Sequence, residues 1–271
     1  MSRILSAEMQ AVATAEVVRP IYLIDMAFSA STVRLWSGLG DLTAPIGSNL
    51  VTNGTFDSGI TGWAVVEVGS GDVSWVNGEV RETGADFSNR AGVRQNIGTV
   101  AGKTYQVRLV SDGTVTLLQR DIVGNANIGS AVNYSAGLVT HTFTAVSAST
   151  RIEIRNQSGG TIAIDDVEMY VAEDYVGAGD LLKISEIQET ADLQANGANV
   201  TLSGCNATLI NLAQNEDYQG RLMTISLGAF DGSGNVIASP AVLFTGFMDV
   251  MTISDGGQFS SINVSVENKL I

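Results

Sequence analysis

Asn49-Leu-Val-Thr-Asn-Gly-Thr-Phe-Asp-Ser-Gly-Ile-Thr-Gly-Trp63 opens, and Ile164-Asp-Asp-Val-Glu-Met-Tyr-Val171 closes, a stretch that reads as a complete all-β domain. Its flanks do not read as complete. The preceding segment ends Trp36-Ser-Gly-Leu-Gly-Asp-Leu42, and the following one begins Tyr175-Val-Gly-Ala-Gly-Asp-Leu-Leu182. Removing the stretch leaves a continuous β-rich domain of about 145 residues, an ordinary domain size. The chain therefore reads as residues 49–173 inserted into a loop of a discontinuous domain, 1–48 plus 174–271. Insertions succeed at exposed loop tips, where the guest's ends lie close together and few host contacts cross.

Composition supports strands throughout. Thirty Gly and 3 Pro in 271 residues, 15% of them charged, favour short strands and tight turns over helical bundles. Net charge is −14. The insert carries 13 Asp/Glu against 8 Lys/Arg, and the remainder 15 against 6. Acidity in both parts argues against direct nucleic-acid recognition, which needs a basic stripe. Cys205 is the single cysteine, so no internal disulfide or Cys-based metal site is expected, and it reads as a small apolar residue. Met-Ser-Arg-Ile-Leu-Ser-Ala-Glu lacks the build of a signal peptide, and synthesis in the cytoplasm without export is expected.

The host reads as an antiparallel β-barrel or sandwich with two short helices. Ser6 caps a helix over Ala7–Val18, and a second is expected at Asn206–Asn215. Strands are expected at Pro20–Met26, Thr32–Trp36, Leu181–Gln188, Asn199–Gly204, Arg221–Leu227, Ala241–Ile253 and Ser260–Glu267. Turns are expected at Gly38–Gly40 and Gly177–Gly179. In the insert, Tyr105, Val107 and Leu109 alternate with Gln106 and Arg108. Ile152 and Ile154 alternate with Arg151, Glu153 and Arg155, the pattern of half-buried sandwich strands. In the last strand the apolar phase shifts between Ile164 and Val167, which predicts a bulge at Asp165-Asp166.

Two resemblances add to this. The opening and closing strings of the insert, Asn49–Trp63 and Ile164–Val167, resemble those of galactose-binding-like jelly rolls, in particular carbohydrate-binding modules attached to glycanases. That implies a β-sandwich of roughly eight strands, and it implies a structural Ca²⁺ where first and last strands meet, with Asp57 and either Asp165 or Asp166 as candidate ligands. In the host, Gly179-Asp-Leu-Leu-Lys-Ile-Ser-Glu-Ile-Gln-Glu-Thr190, Val200-Thr-Leu-Ser-Gly204, Tyr218-Gln-Gly-Arg221, Leu243-Phe-Thr-Gly-Phe-Met-Asp249 and 260–271 resemble one family of tail proteins. These belong to tailed phages and gene transfer agents. This second resemblance implies a hub or distal-tail ring of the baseplate, built on the β-barrel of tail-tube proteins. Its partners would be other tail-tip and tail-tube proteins and further copies of itself in a trimeric or hexameric ring, at the distal end of the virion's tail. Members usually continue past Glu267-Asn-Lys-Leu-Ile271, so a further C-terminal region is expected.

Chemistry is sparse. His141 is the single histidine; it alternates within a strand, and no Gly-x-Ser-x-Gly elbow accompanies it. Adjacent Asp165 and Asp166 would face opposite sides of a strand and could not flank one glycosidic bond. No enzymatic activity is expected. A sugar site needs aromatic platforms beside hydrogen-bonding side chains. Trp63 and Phe56 read as core, so Trp75, Phe87, Arg90, Arg94 and Tyr134 are the candidate carbohydrate residues, for host-surface glycans. Arg221 is the candidate interface arginine. The remaining alternative is a free-standing lectin with a scaffold domain.

Overall fold

The computed structural model describes residues 10, 19–179, 181–187, 197–204, 206–231, 234–256 and 260–268. The helix expected over Ala7–Val18, and Cys205, lie outside the described residues. In chain order the strands are β1 (Pro20–Ala27), β2 (Thr32–Trp36), β3 (Leu39–Ile46), β4 (Ala64–Glu67), β5 (Asp72–Val76) and β6 (Glu79–Thr83). They continue as β7 (Ala91–Gly98), β8 (Thr104–Ser111), β9 (Val115–Asp121), β10 (Ala126–Tyr134), β11 (Gly137–Thr144) and β12 (Ser149–Asn156). The last are β13 (Thr161–Ala178), β14 (Leu181–Ile184), β15 (Ala198–Ser203), β16 (Leu222–Ala229), β17 (Ala241–Asp255) and β18 (Ser260–Asn268). Helix α1 (Ala207–Asn215) is capped by the Asn206 side chain, which accepts from the Thr208 and Leu209 N–H groups, an arrangement that satisfies donors orphaned at the helix start. The chain divides into two compact units, residues 1–44 with 173–271, and residues 45–172.

In the first unit the strands run in the order β13-β2-β1-β16-β17-β18-β15-β14. These neighbours pair antiparallel except β2 with β13, which is parallel at Val176 and Leu35. Among the described residues this sheet is open rather than closed into a barrel. Alternate residues, among them Ile24, Met26, Val200, Met223, Ile225, Ile262, Val264 and Val266, form its core, joined by Leu209 of the helix. Two expected turns differ. Leu39–Ile46 is a strand, and β13 runs on through Gly177, leaving the break to Gly179, whose φ is 77°. A Cβ on Gly177 would sit 2.1 Å from Trp36 Nε1 and 2.6 Å from the Gly38 and Gly40 carbonyl oxygens, so close backbone approach accounts for that glycine. Within the same unit Arg34 bridges Asp25 at 2.9 Å and Glu173 at 3.1 Å, while the buried Tyr175 hydroxyl donates to Asp25 at 3.0 Å. Burial lifts the Asp25 carboxyl and the Tyr175 phenol above their usual ranges.

The second unit is a β-sandwich of the jelly-roll class. One sheet runs β5-β6-β13-β8-β11 and the other β10-β9-β12-β7-β4. Between them lie Phe56, Trp63, Val93, Tyr105, Val107, Leu109, Leu117, Ile152 and Ile154, so Phe56 and Trp63 are core residues as their place in the opening string suggests. First and last segments are laced together. Leu50 N–H donates to Met169 O at 2.8 Å, Val167 N–H to Gly54 O at 2.9 Å, and Met169 N–H to Asn49 Oδ1 at 3.0 Å. The bulge expected in the last strand is present. The β13–β8 register slips between Asp165 and Glu168, Asp166 takes φ 50°, and Ile162, Ile164, Val167 and Met169 thereby all reach the core. One core position is ionisable. Glu82 on β6 is fully buried, and that burial holds its carboxyl well above the usual carboxylate range, against the pull of the Val93 and Asn156 backbones.

Candidate functional site: an arginine-lined sheet face

Strands β9, β12 and β7 send Leu117, Ile154, Ile152 and Val93 inward, so the intervening residues point away from the core. Register aligns these outward residues into rows. One row is Asn127, Arg120, Arg151, Asn96, and the next is Leu118, Glu153, Arg94, Ala64. A third runs Asn133, Thr116, Arg155, Gly92, Val66. With strands ~4.8 Å apart, the four-residue rows reach about 14 Å across the sheet. Although they face outward, Thr116, Glu153 and Leu118 are only 2%, 4% and 5% exposed. Longer neighbours therefore rise around them, and the face is recessed. A cavity of about 320 Å³ opens there, lined by Gly62, Ala64, Arg94, Gln95, Asn96 and Arg151.

Polar contacts hold several of these side chains in place. Arg151 Nε donates to Asn96 Oδ1 at 2.9 Å, and Arg120 Nη2 to Asn125 Oδ1 at 2.7 Å. Thr116 Oγ1 donates to Asn133 Oδ1 at 2.7 Å. Beneath the cavity, Gln95 is fixed to the loop before β4, accepting from Thr52 N–H at 2.9 Å and donating to Thr52 O at 2.9 Å and Gly62 O at 3.2 Å. Arg155 Nε bonds Glu153 Oε1 at 2.7 Å, with both side chains mostly buried. Arg94, Arg120 and Arg151 make no ion pair among the described residues. Burial, followed by repulsion from Arg94 and Arg120, lowers the Arg151 guanidinium pKa, while Glu153 opposes that shift.

Of the five candidate carbohydrate residues, this face contains Arg94. Phe87 and Arg90 meet elsewhere, in the β6–β7 loop, where the guanidinium lies 4.3 Å from the ring centroid and Phe87 is 65% exposed. Asp86 closes that loop by accepting from Ser88 N–H at 2.8 Å and Asn89 N–H at 2.9 Å. Trp75 belongs to β5 of the other sheet; it is 43% exposed and its Nε1–H donates to Phe56 O at 2.7 Å. Tyr134 packs against the core, its hydroxyl 2.6 Å from His141 Nδ1, while His141 Nε2 lies 3.1 Å from Gln119 Oε1. That chain fits a neutral imidazole that accepts from Tyr134 and donates to Gln119, and burial lowers the His141 pKa accordingly. Arg120, Arg151, Arg155 and Asn96 were not candidates. The outward phase of Arg151 and Arg155 is legible in the sequence, but their neighbours across the sheet are not.

The calcium expected from the jelly-roll resemblance would draw on Asp57 and Asp165 or Asp166. Among the described residues no three His, Cys, Asp or Glu side chains could hold a metal ion. Asp57 accepts from Thr55 Oγ1 at 2.7 Å, and Asp165 from the Asp166 N–H at 2.8 Å. Burial raises the Asp165 pKa, and Asp166, Glu79 and Asp57 add to the rise. Arg221 closes the turn after α1: its Nε–H donates to Asp217 O, and its carbonyl accepts from Met248 N–H at 2.8 Å.

The chain matches no protein-family model and no curated protein. It is similar to a family 4 carbohydrate-binding module at 23% identity and a TM-score of 0.34, covering 45% of this chain and 99% of that one. It is likewise similar to the N-terminal cellulose-binding domain of Cellulomonas fimi β-1,4-glucanase C, with 23% identity, a TM-score of 0.34, and coverage of 47% and 97%. A third likeness is to the enzymatically active domain of bacteriophage CBA120 tailspike protein 4, at 15% identity and a TM-score of 0.36, over 45% of this chain and 21% of that one.

Proposed function

We propose that the 45–172 unit is a carbohydrate-binding module and that the chain is a non-enzymatic component of a phage tail tip, presenting this module to host-surface glycans. One observation carries the binding reading: a recessed outward sheet face lined by Arg94, Asn96, Arg120 and Arg151. A saccharide presents many hydroxyls, and a face of fixed donors and acceptors suits them. The tail reading is supported by the ordered strings of residues 179–271 and places the chain at the distal end of the tail, in a homo-oligomeric ring with other tail-tip proteins. Head-to-tail contacts that close make such rings.

Two measurements test this. Light scattering on the purified full chain should report a trimer or hexamer, and a strictly monomeric chain at all concentrations would remove the ring. A glycan array probed with the full chain should show saturable binding to a restricted set of glycans. A folded chain that binds none would remove the carbohydrate reading.

A further inference from the structure

We infer that the ligand of this face is an acidic saccharide whose carboxylate is held by Arg94 and Arg151. The inference rests on the carbohydrate-binding reading and narrows it to a substrate class. Residues 45–172 contain 12 Asp/Glu and 8 Lys/Arg, a net charge of −4. Four of the bases, Arg94, Arg120, Arg151 and Arg155, share this face with a single acid, Glu153. The face is thus +3 and the rest of the unit −7. The asymmetry lies in the acids: eleven of the twelve lie off this face, while half of the bases lie on it.

Their bonding singles out which arginines are available. Arg155 is neutralised by Glu153. Arg120 and Arg151 each spend a donor on an asparagine oxygen, which aims the guanidinium without cancelling its charge. Arg94 and Arg151 both line the cavity, and Asn96 lines it with them. Burial first, and then repulsion from Arg94 and Arg120, lowers the Arg151 pKa, and a bound anion would relieve the repulsive part. Planar guanidinium forks match a carboxylate bidentately. The outward rows also contain no aromatic residue, so a neutral sugar would find no stacking platform there.

The test titrates the full chain with oligogalacturonide, hyaluronan oligosaccharide and oligosialic acid, with cello- and galacto-oligosaccharides as neutral probes. Expected is saturable binding of at least one acidic probe, weakened tenfold or more by methyl esterification of its carboxylates. Arg94→Gln and Arg151→Gln should each weaken it tenfold or more, Arg94→Lys by less, and Arg81→Gln on the other sheet not at all. Binding should also weaken as salt rises. Thermal melts matching the parent chain establish that the variants are folded. Neutral probes bound in preference to the acidic ones, at an affinity the arginine changes leave intact, would overturn this inference while leaving the carbohydrate reading in place. A folded chain that binds neither set would overturn both. An equally tight complex with a single-stranded oligonucleotide at the same salt would overturn the preference for a sugar acid.

Discussion

Glu153 stands directly opposite Arg94 across the β7–β12 ladder, yet its carboxylate bonds Arg155, two residues along its own strand, at 2.7 Å. This choice leaves Arg94 charged and uncompensated at the cavity wall. It also makes the Glu153–Arg155 pair a structural unit rather than a binding one, because both side chains are largely buried.

Breaking that pair from one side should therefore be costly. Glu153→Ala or Arg155→Ala strands a buried charge, and each is expected to lower unfolding free energy by about 3 kcal/mol, the low end for buried pairs. Replacing both with Leu and Met should recover most of the loss. Urea denaturation of the three variants measures this, and an unaffected single variant would contradict it.

Gly54 lies where the opening and closing segments meet. A Cβ there would stand 1.8 Å from the Val167 carbonyl oxygen, which is backbone and cannot rotate away. Gly54→Ala should thus destabilise the sandwich by about 3 kcal/mol, at the upper end for overpacking. Gly59→Ala offers contrast: its added Cβ meets nothing, and its φ of 108° leaves backbone strain as the cause of any loss. Thermal unfolding should rank the first change as the more damaging.

Two buried groups tilt stability with pH in opposite directions. Burial raises the folded pKa of Glu82 well above the unfolded value near 4.5. The stability it supports is complete below pH 4.5 and is lost as pH rises toward the folded pKa. Glu82→Gln should raise the midpoint of thermal unfolding at pH 7 and leave it nearly unchanged at pH 4.

His141 runs the other way. Its folded pKa is lowered below 6.5 by burial, so its contribution is present above pH 6.5 and is lost as pH falls through the folded pKa. Protonation would place a hydrogen on Nδ1 where the Tyr134 hydroxyl lies 2.6 Å away. NMR titration of the imidazole should give a pKa below that of an unfolded peptide. His141→Gln should remove the corresponding part of the pH dependence between 5 and 7.

Much of the strand content was legible because one face of each strand is buried. Thr32–Trp36 is a strand at the expected bounds, and the phase shift after Ile164 predicts the bulge that the β13–β8 register contains. Glycines misled where they serve close packing rather than turning: Gly177 lies inside a strand because Trp36 and two carbonyls crowd it. The candidate face was the least legible. Alternation says that Arg151 and Arg155 point away from the core, but only register brings Arg120 and Asn96 beside Arg151. The candidate aromatic residues Trp75, Phe87 and Tyr134 lie off this face: the Trp75 indole donates to the Phe56 carbonyl, the Phe87 ring lies against Arg90, and the Tyr134 hydroxyl meets His141 Nδ1.

The most direct test of the carbohydrate-binding account is a glycan array probed with the full chain and with its Arg151→Glu variant, both shown to be folded. The account predicts a restricted set of glycans bound by the parent chain and lost from the variant. A parent chain that binds no glycan, or a variant that keeps every one, would contradict it.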